Sequence, residues 1–162
     1  MSVTLRPMTV HEFESFRQWS TESQAKELMV QLHIPREAAL RKAEGELAEM
    51  LPDGLHTEHS HLMTIIEADT EETAGFIWTL HEETAGRKQS FVCDFAIREP
   101  KRRNGYGTAA LLLAERYAAA AGCIESVLFV SAGNAAARAL YEKCGYEVLR
   151  QAGSGCYMIK QL

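Results

Sequence analysis

The spacing of apolar residues changes from a helical to an alternating period near position 60. Before that point, apolar residues at helical spacing predict a helix over Val10–Leu32, and residues 37–50 have a strong helix composition. Thr9 with Glu12 three positions later is a capping-box sequence, so we expect the first helix to begin there. A short strand over residues 3–6 precedes the two helices.

After position 60, short apolar segments separated by polar turns predict strands. They span residues 61–68, 75–80, 90–98 and 124–130, with two short ones at 147–149 and 156–159. A polar turn over residues 82–88 should separate the second of these from the third. Both faces of the third are mostly apolar, so we predict a central strand that is buried on both sides. Its alternation places Phe91, Cys93, Phe95 and Ile97 on one face and Val92, Asp94 and Ala96 on the other.

Two further helices lie between the later strands. The turn Gly105-Tyr-Gly107 opens a helix that runs to about residue 121, and Asn134 caps another that ends before Gly145. The inner stripe of the first is predicted to be Leu112, Leu113, Tyr117 and Ala120. The order β-α-α-β-β-β-α-β-α-β-β predicts an α/β fold with a mixed sheet, and the 162 residues predict a single domain.

Composition and charge exclude several classes of protein. With 46% hydrophobic residues the chain is not disordered, and a net charge of −5 argues against nucleic-acid binding. No apolar run reaches the ~18 residues of a membrane span and no signal core is seen, so we expect a cytoplasmic protein that does not bind membranes. Residues 1–72 carry 6 basic and 14 acidic side chains, whereas residues 73–162 carry 11 and 8. This asymmetry predicts an anionic ligand for the second half.

Neither the cysteines nor the histidines match a metal-binding motif. The four cysteines lack a C-x-x-C pair, and we expect them to be reduced, small apolar residues. His56, His59 and His61 fit no standard zinc spacing, so we expect histidines of a loop on the substrate side and no metal site. Three large aromatic residues are expected to pack in the core rather than line a cleft: Phe16, Trp19 and Trp78.

The glycine-rich turn between the third strand and its helix indicates an anion site. Its glycines allow close backbone approach, and the helix N-terminus offers unpaired N–H groups. Four basic residues surround the turn: Arg98, Lys101, Arg102 and Arg103. The alternatives are a solvated basic loop and a dinucleotide fingerprint, Gly105-x-Gly107-x-x-Ala110. A charged loop before the turn and the position of Glu125 at the start of the next strand count against the dinucleotide.

A second motif is more specific. Asn134 with Leu140-Tyr-Glu-Lys-x-Gly145-Tyr146, taken together with Arg102-x-x-Gly105-x-Gly107, resembles the GCN5-related N-acetyltransferase (GNAT) superfamily. The resemblance implies a mixed, mostly antiparallel sheet flanked by helices, in which two adjacent parallel strands splay apart and acetyl-CoA lies in the gap. By motif position those strands are residues 90–98 and 124–130.

The resemblance also implies roles for individual residues. Ala96 and Ile97 would pair with the pantetheine arm of acetyl-CoA, Asn134 would hydrogen-bond that arm, and Tyr141 would protonate the departing thiolate. The alternative for Tyr141 is a core tyrosine. Backbone amides of the glycine turn would bind the pyrophosphate: Arg103, Asn104, Gly105, Tyr106, Gly107 and Thr108. Arg102, the first residue of the motif, is a further expected cofactor-binding residue.

The sequence does not indicate a single residue that must act as the general base. Asp94 is the candidate, because a carboxylate in an apolar strand is costly unless it is hydrogen-bonded or functional. The alternatives are a carboxylate that holds loop amides and one that recognises a cationic substrate. Some members of the family use a water chain with no single base. Glu67 on a neighbouring strand is a second candidate.

The expected activity is acetyl transfer from acetyl-CoA to a primary amine by direct attack in a ternary complex. The amine could be a small metabolite, an antibiotic, or a protein N-terminus or lysine. A non-catalytic acyl-CoA-binding regulatory module on the same fold is the alternative, and a dinucleotide-binding oxidoreductase is a third. A homodimer through the C-terminal strands is left open.

Overall fold

The computed structural model describes residues 2–162, and the order of its helices and strands is the predicted one. Short 3-10 turns at Gly54–His56 and Glu99–Lys101 are additional. The elements are β1 (Val3–Pro7), α1 (Val10–Leu32), α2 (Arg36–Met50), β2 (Ser60–Glu67), β3 (Thr73–Thr84), β4 (Arg87–Ile97), α3 (Tyr106–Ala120), β5 (Glu125–Ser131), α4 (Ala135–Lys143), β6 (Glu147–Ala152) and β7 (Gly155–Gln161).

The strands form one sheet in the order β1-β2-β3-β4-β5-β7-β6. β4 and β5 run parallel, whereas the β1–β2, β3–β4, β5–β7 and β6–β7 pairs are antiparallel. This sheet with its helices confirms the predicted fold class. No helix among residues 2–162 is long and apolar enough to cross a bilayer.

Residues 8–60 form a separate compact unit that consists of α1, α2 and the following turn. The capping box is confirmed: Glu12 N–H donates to Thr9 Oγ1 at 3.1 Å, and Thr9 N–H donates to Glu12 Oε1 at 2.8 Å. Small residues on both helices, Ala25, Ala39 and Ala43, are fully or almost fully buried where the helices pack. Small side chains at such a contact let two helices approach closely.

The turn between β3 and β4 is much shorter than predicted. Thr84 pairs with Arg87, so only Ala85 and Gly86 lie in the turn, and both have positive φ, 52° and 78°. Two residues of this conformation match the right-handed twist of the flanking strands. The polar residues on either side of the turn belong to exposed strand ends, which is why the sequence resembles a longer loop.

A β-bulge in β4 changes which side chains face each side of the sheet. Trp78 pairs with Asp94 and Thr79 with Val92, so Cys93 is an extra residue on β4. Val92 and Phe95 therefore both pack in the core beneath α3. Asp94, between Phe95 and the bulge, takes the opposite face. The predicted alternation of β4 is wrong beyond Cys93.

The buried face of α3 also differs from the predicted stripe. Leu112 is 39% exposed and Tyr117 is 48% exposed. The buried residues are Tyr106, Ala110, Leu111, Glu115 and Ala118. Two of these carry polar groups with partners in the core, so hydrogen bonding rather than hydrophobicity alone decides how the helix is rotated.

A buried polar network fastens α3 to the sheet. Tyr146 Oη lies 2.8 Å from Ser126 Oγ on β5 and 3.3 Å from Glu115 Oε2 on α3. Lys160 Nζ on β7 pairs with Glu115 Oε1 at 2.5 Å. Burial is the main cause that raises the pKa of Tyr146, so the phenol stays protonated at neutral pH.

Lys160→Met should lower the free energy of unfolding by about 3 kcal/mol, because it leaves the buried Glu115 carboxylate without its cation. Lys42→Met is the control, since it removes an exposed ion pair with Glu46 and should cost less than about 0.5 kcal/mol. Urea denaturation measures both variants. Equal losses in the two would contradict the assigned role of the network.

Candidate active site

A gap opens between the two parallel strands. Residues 89–92 of β4 pair with residues 125–128 of β5, and the parallel pairing ends there. Beyond that point β4 pairs with β3, and residues 129–131 of β5 pair with β7. Each strand keeps one neighbour and leaves an edge toward the gap. The predicted splay is confirmed, and because β4 loses a neighbour, Cys93 to Ile97 are only half-buried rather than buried on both sides as predicted.

The register shows which backbone groups of β4 face the gap. Arg98 N–H donates to Ala74 O at 2.8 Å. Pairing alternates along antiparallel strands, so Ile97 and Phe95 direct their N–H and C=O groups away from β3 and into the gap. Ala96 directs its N–H and C=O groups toward β3. The gap-facing groups are thus those of Phe95 and Ile97.

Asp94 lies beside this edge. Its Oδ1 accepts the Phe95 N–H at 3.1 Å, and its side chain is half-buried. The carboxylate thus holds an amide of its own strand, whereas the alternative for this residue was a carboxylate that holds loop amides. The bulge at Cys93 places Asp94 on the sheet face away from α3, next to the gap.

Tyr141 approaches the gap from the helix side of the sheet. It is buried on α4, and its ring meets that of Tyr146 edge-on with centroids 5.9 Å apart. Burial raises the pKa of Tyr141 to about 12, and the negative charge of Asp94 adds to the shift. The two candidate catalytic side chains are therefore within electrostatic reach of each other.

The glycine turn ends in an uncapped helix N-terminus. Arg103 and Gly105 have positive φ, 64° and 78°, and Gly105 begins α3 without a side-chain cap. Ala109 N–H makes the first intrahelical bond, to Gly105 O at 3.1 Å. The N–H groups of Tyr106 and the next two residues have no acceptor within the helix and can meet an anion.

Not all basic residues of the glycine turn are available to bind an anion. Arg102 Nε donates to Ile97 O at 2.9 Å. Asn104 Nδ2 donates to the carbonyls of Lys101 and Arg102 at 3.1 and 3.2 Å, which shapes the turn. Lys101 is bound to carboxylates on its other side, so the expectation that it adds charge to the anion site is wrong. Arg98, Arg102 and Arg103 remain exposed.

Glu67 anchors this turn to β2. Tyr106 Oη donates to Glu67 Oε1 at 2.7 Å, and Lys101 Nζ pairs with Glu67 Oε2 and, at 2.5 Å, with Glu72 Oε2. The bond from Lys101 and then that from Tyr106 lower the pKa of Glu67. A carboxylate of lowered pKa is a weak base, which argues against Glu67 as a base. The Tyr106 side chain is engaged here, so only its backbone is left for a ligand.

Asn134 and Thr108 have structural partners as well. Asn134 Oδ1 accepts the Ala137 N–H at 3.2 Å and caps α4, so its amide NH2 is the group that remains for a ligand. The Thr108 side chain hydrogen-bonds Cys144, whose thiol pKa is raised mainly by burial.

The three histidines at positions 56, 59 and 61 do not all belong to one compact unit. His56 and His59 belong to the unit of residues 8–60, whereas His61 lies on β2 and its ring contacts that of His81 at a tilt of 40°, with centroids 4.2 Å apart. Among residues 2–162, no three His, Cys, Asp or Glu side chains form a group that could hold a metal. His81 has no sequence signal that would link it to His61.

The structure bears out the expected core position for two of the three large aromatic residues. Phe16 and Trp78 are each 3% exposed, which confirms the prediction. Trp19 is 43% exposed, so the prediction is wrong for that residue. Its immediate neighbours, Gln18 and Ser20, are polar, and the buried side chains of α1 are Phe13, Phe16, Thr21, Ala25 and Leu28.

Comparisons with known proteins identify a family to which this chain is similar. The model of the Acetyltransferase (GNAT) family matches residues 14–146. An uncharacterized N-acetyltransferase of Bacillus subtilis (strain 168), YycN, is 31% identical over 148 residues, which are 91% of this chain and 94% of YycN. The YycN crystal structure aligns with a TM-score of 0.86 at 29% identity and covers 94% of this chain and 97% of its own.

Two more distant structures share the fold alone. The PaiA N-acetyltransferase from Thermoplasma acidophilum in complex with coenzyme A has a TM-score of 0.70 at 19% identity, with both chains fully covered. A spermidine N-acetyltransferase from Vibrio cholerae in complex with CoA and spermine has a TM-score of 0.70 at 15% identity, covering 99% of this chain and 95% of its own. The chain belongs to the GNAT family of acetyltransferases, enzymes that use acetyl-CoA as co-substrate.

Glu67→Gln should change how stability depends on pH. A carboxyl whose pKa is lowered by folding stabilises the protein above its ordinary value of 4.5, and this contribution is lost as the pH falls through the lowered folded value. The free energy of unfolding of the wild type should therefore fall more steeply below about pH 4.5 than that of the variant. Urea titrations at several pH values measure this, with Glu46→Gln as an exposed control. If the free energy of unfolding depended on pH in the same way in the wild type and in Glu67→Gln, the role of Glu67 in holding the turn would be refuted.

Proposed function

We propose that this protein, as a single domain, transfers the acetyl group of acetyl-CoA to a primary amine by direct attack in a ternary complex. The observation that carries the proposal is the gap between β4 and β5, which Tyr141 approaches from the helix face and Asp94 from the other. A proton donor and a carboxylate on opposite sides of one gap are what aminolysis of a thioester requires.

The residues present fit coenzyme A. The uncapped N-terminus of α3 supplies amide donors for the pyrophosphate, and Arg102 and Arg103 add exposed positive charge. The free edge of β4 supplies the backbone groups of Phe95 and Ile97 for the pantetheine arm. Asn134 would contribute its amide NH2 to the same arm. Tyr106 would act through its backbone, because its hydroxyl is bound to Glu67.

Tyr141 is the proposed proton donor to the leaving sulfur. Its raised pKa keeps the phenol protonated throughout the neutral range. A neutral donor placed near a developing thiolate stabilises the negative charge as it forms. Because a thiol has a reference pKa of about 8.5, a phenol of higher pKa would first hydrogen-bond the developing thiolate and would transfer its proton late in the reaction.

Asp94 is the proposed acceptor-side carboxylate. It can hold the ammonium form of the amine and take a proton, directly or through water, as the amine attacks. Before a ligand takes the Phe95 N–H, the bond of Asp94 to that group holds the carboxylate beside the edge where the thioester carbonyl would lie. The backbone N–H groups on that edge are the candidate donors to the oxyanion.

Tyr141→Phe should lower kcat by about a hundredfold or more, because the proton donor is lost, and should leave the acetyl-CoA dissociation constant within about twofold. Calorimetry measures binding, and thiol detection with a broad panel of amines measures turnover. Tyr117→Phe is the control, since Tyr117 is 48% exposed on α3.

Three results would count against the proposal. Acetyl-CoA binding weaker than millimolar would exclude the proposed function. Tight binding without CoA release would favour the non-catalytic acyl-CoA-binding alternative. An unchanged kcat in Tyr141→Phe would remove Tyr141 from the mechanism.

A further inference from the structure

Four side chains lie level with one another on four strands of the sheet, and we call them the acceptor row. Phe129 on β5 pairs directly with Tyr157 on β7, which in turn pairs with Arg150 on β6. The last parallel pair joins Leu128 to β4 just before the bulge, so Phe129 is level with the bulge that precedes Asp94. The row is Asp94, Phe129, Tyr157 and Arg150.

All four members occupy the face of the sheet away from α3 and α4. Leu128 and Met158 are buried in the core beneath those helices, so their strand neighbours Phe129 and Tyr157 point the other way. Directly paired residues share a face, which places Arg150 with Tyr157. The bulge brings Asp94 to this face as well.

Three members of the row contact one another: Phe129, Tyr157 and Arg150. The rings of Phe129 and Tyr157 meet edge-on with centroids 5.2 Å apart. The guanidinium carbon of Arg150 lies 4.2 Å above the centre of the Tyr157 ring. A guanidinium stacked in this way keeps its N–H donors in its own plane, where they can reach a ligand.

Two members of the row are exposed to solvent. Phe129 is 39% exposed and Arg150 is exposed, although both belong to the sheet. No carboxylate among residues 2–162 pairs with Arg150. An exposed phenylalanine and a half-buried tyrosine beside an arginine without an acidic partner are typical of a surface that binds a ligand.

We infer that the acceptor row binds an amine that carries a carboxylate at its far end and an apolar or aromatic group between the two. The amine would lie at Asp94, the middle group on Phe129 and Tyr157, and the carboxylate at Arg150. This inference rests on the proposed function and narrows its substrate class.

Charge and length support this class of acceptor. Arginine binds carboxylates through two parallel N–H donors, whereas a polyamine would meet Arg150 as a like charge. The pairing of β4 with β5 has ended at the level of Asp94, so β4 lies more than two strand spacings of ~4.8 Å from β7, on whose Tyr157 the guanidinium rests, and amine and carboxylate should be at least about 10 Å apart. An extended tripeptide has this length.

The test uses the full chain with acetyl-CoA and three acceptors: Gly-Phe-Gly, its C-terminal amide, and spermidine. The wild type should show the highest kcat/KM for the free acid. Arg150→Gln should raise the KM for the acid about tenfold with kcat within about twofold, because a charge-assisted bond is lost, and should barely affect the amide. Arg116→Gln, at an exposed position on α3, is the matched control and should change neither.

Other outcomes would overturn the inference. They are a preference for spermidine or the amide, no turnover of the tripeptide while other amines are acetylated, and equal KM values for Arg150→Gln and Arg116→Gln. An altered oligomeric state of Arg150→Gln with unchanged KM would assign this face to a second copy of the chain. CoA release from any amine leaves the proposed function standing in each case, whereas no release from any amine overturns both.

Discussion

The site depends on the loss of hydrogen-bond pairing between two neighbouring strands in the middle of a sheet. Backbone groups without partners are costly when they are removed from water. Here the exposed edge of β4 is partly satisfied by its own surroundings: Asp94 accepts the Phe95 N–H, and Arg102 donates to Ile97 O. Both bonds come from residues assigned to the site, so a ligand in the gap would replace interactions that already exist.

The bulge at Cys93 determines on which face of the sheet Asp94 lies beside the gap. If β4 continued its regular pairing through Cys93 without the bulge, Asp94 would lie on the same side of the sheet as α4 and Tyr141. With the bulge, the carboxylate faces the side away from the helices, together with Phe129, Tyr157 and Arg150. The proposed proton donor Tyr141 and the proposed acceptor-side carboxylate Asp94 are thereby separated by the gap, so each can serve a different reactant.

The element order and the position of the splay could be predicted, because capping residues, periodicity and the two motifs are local signals. Features that depend on contacts between distant parts of the chain could not be predicted. Nothing in the types of Cys93 and its neighbours indicates a bulge, which arises from the pairing with Trp78 and Thr79. Lys101 looks like one more charge of the anion site until Glu67 is placed beside it. Leu112 likewise looks like a core residue until the partners of Glu115 set the rotation of α3.

The central claim is that the free edge of β4 and the start of α3 together receive coenzyme A. Amide NMR of the 15N-labelled 18.1 kDa protein during titration with CoA tests this most directly. The account predicts the largest shifts at the N–H groups of Phe95, Ile97 and residues 105–108. Saturable shifts confined to α1, α2 or the β1–β2 pair, with those N–H groups unchanged, would contradict it.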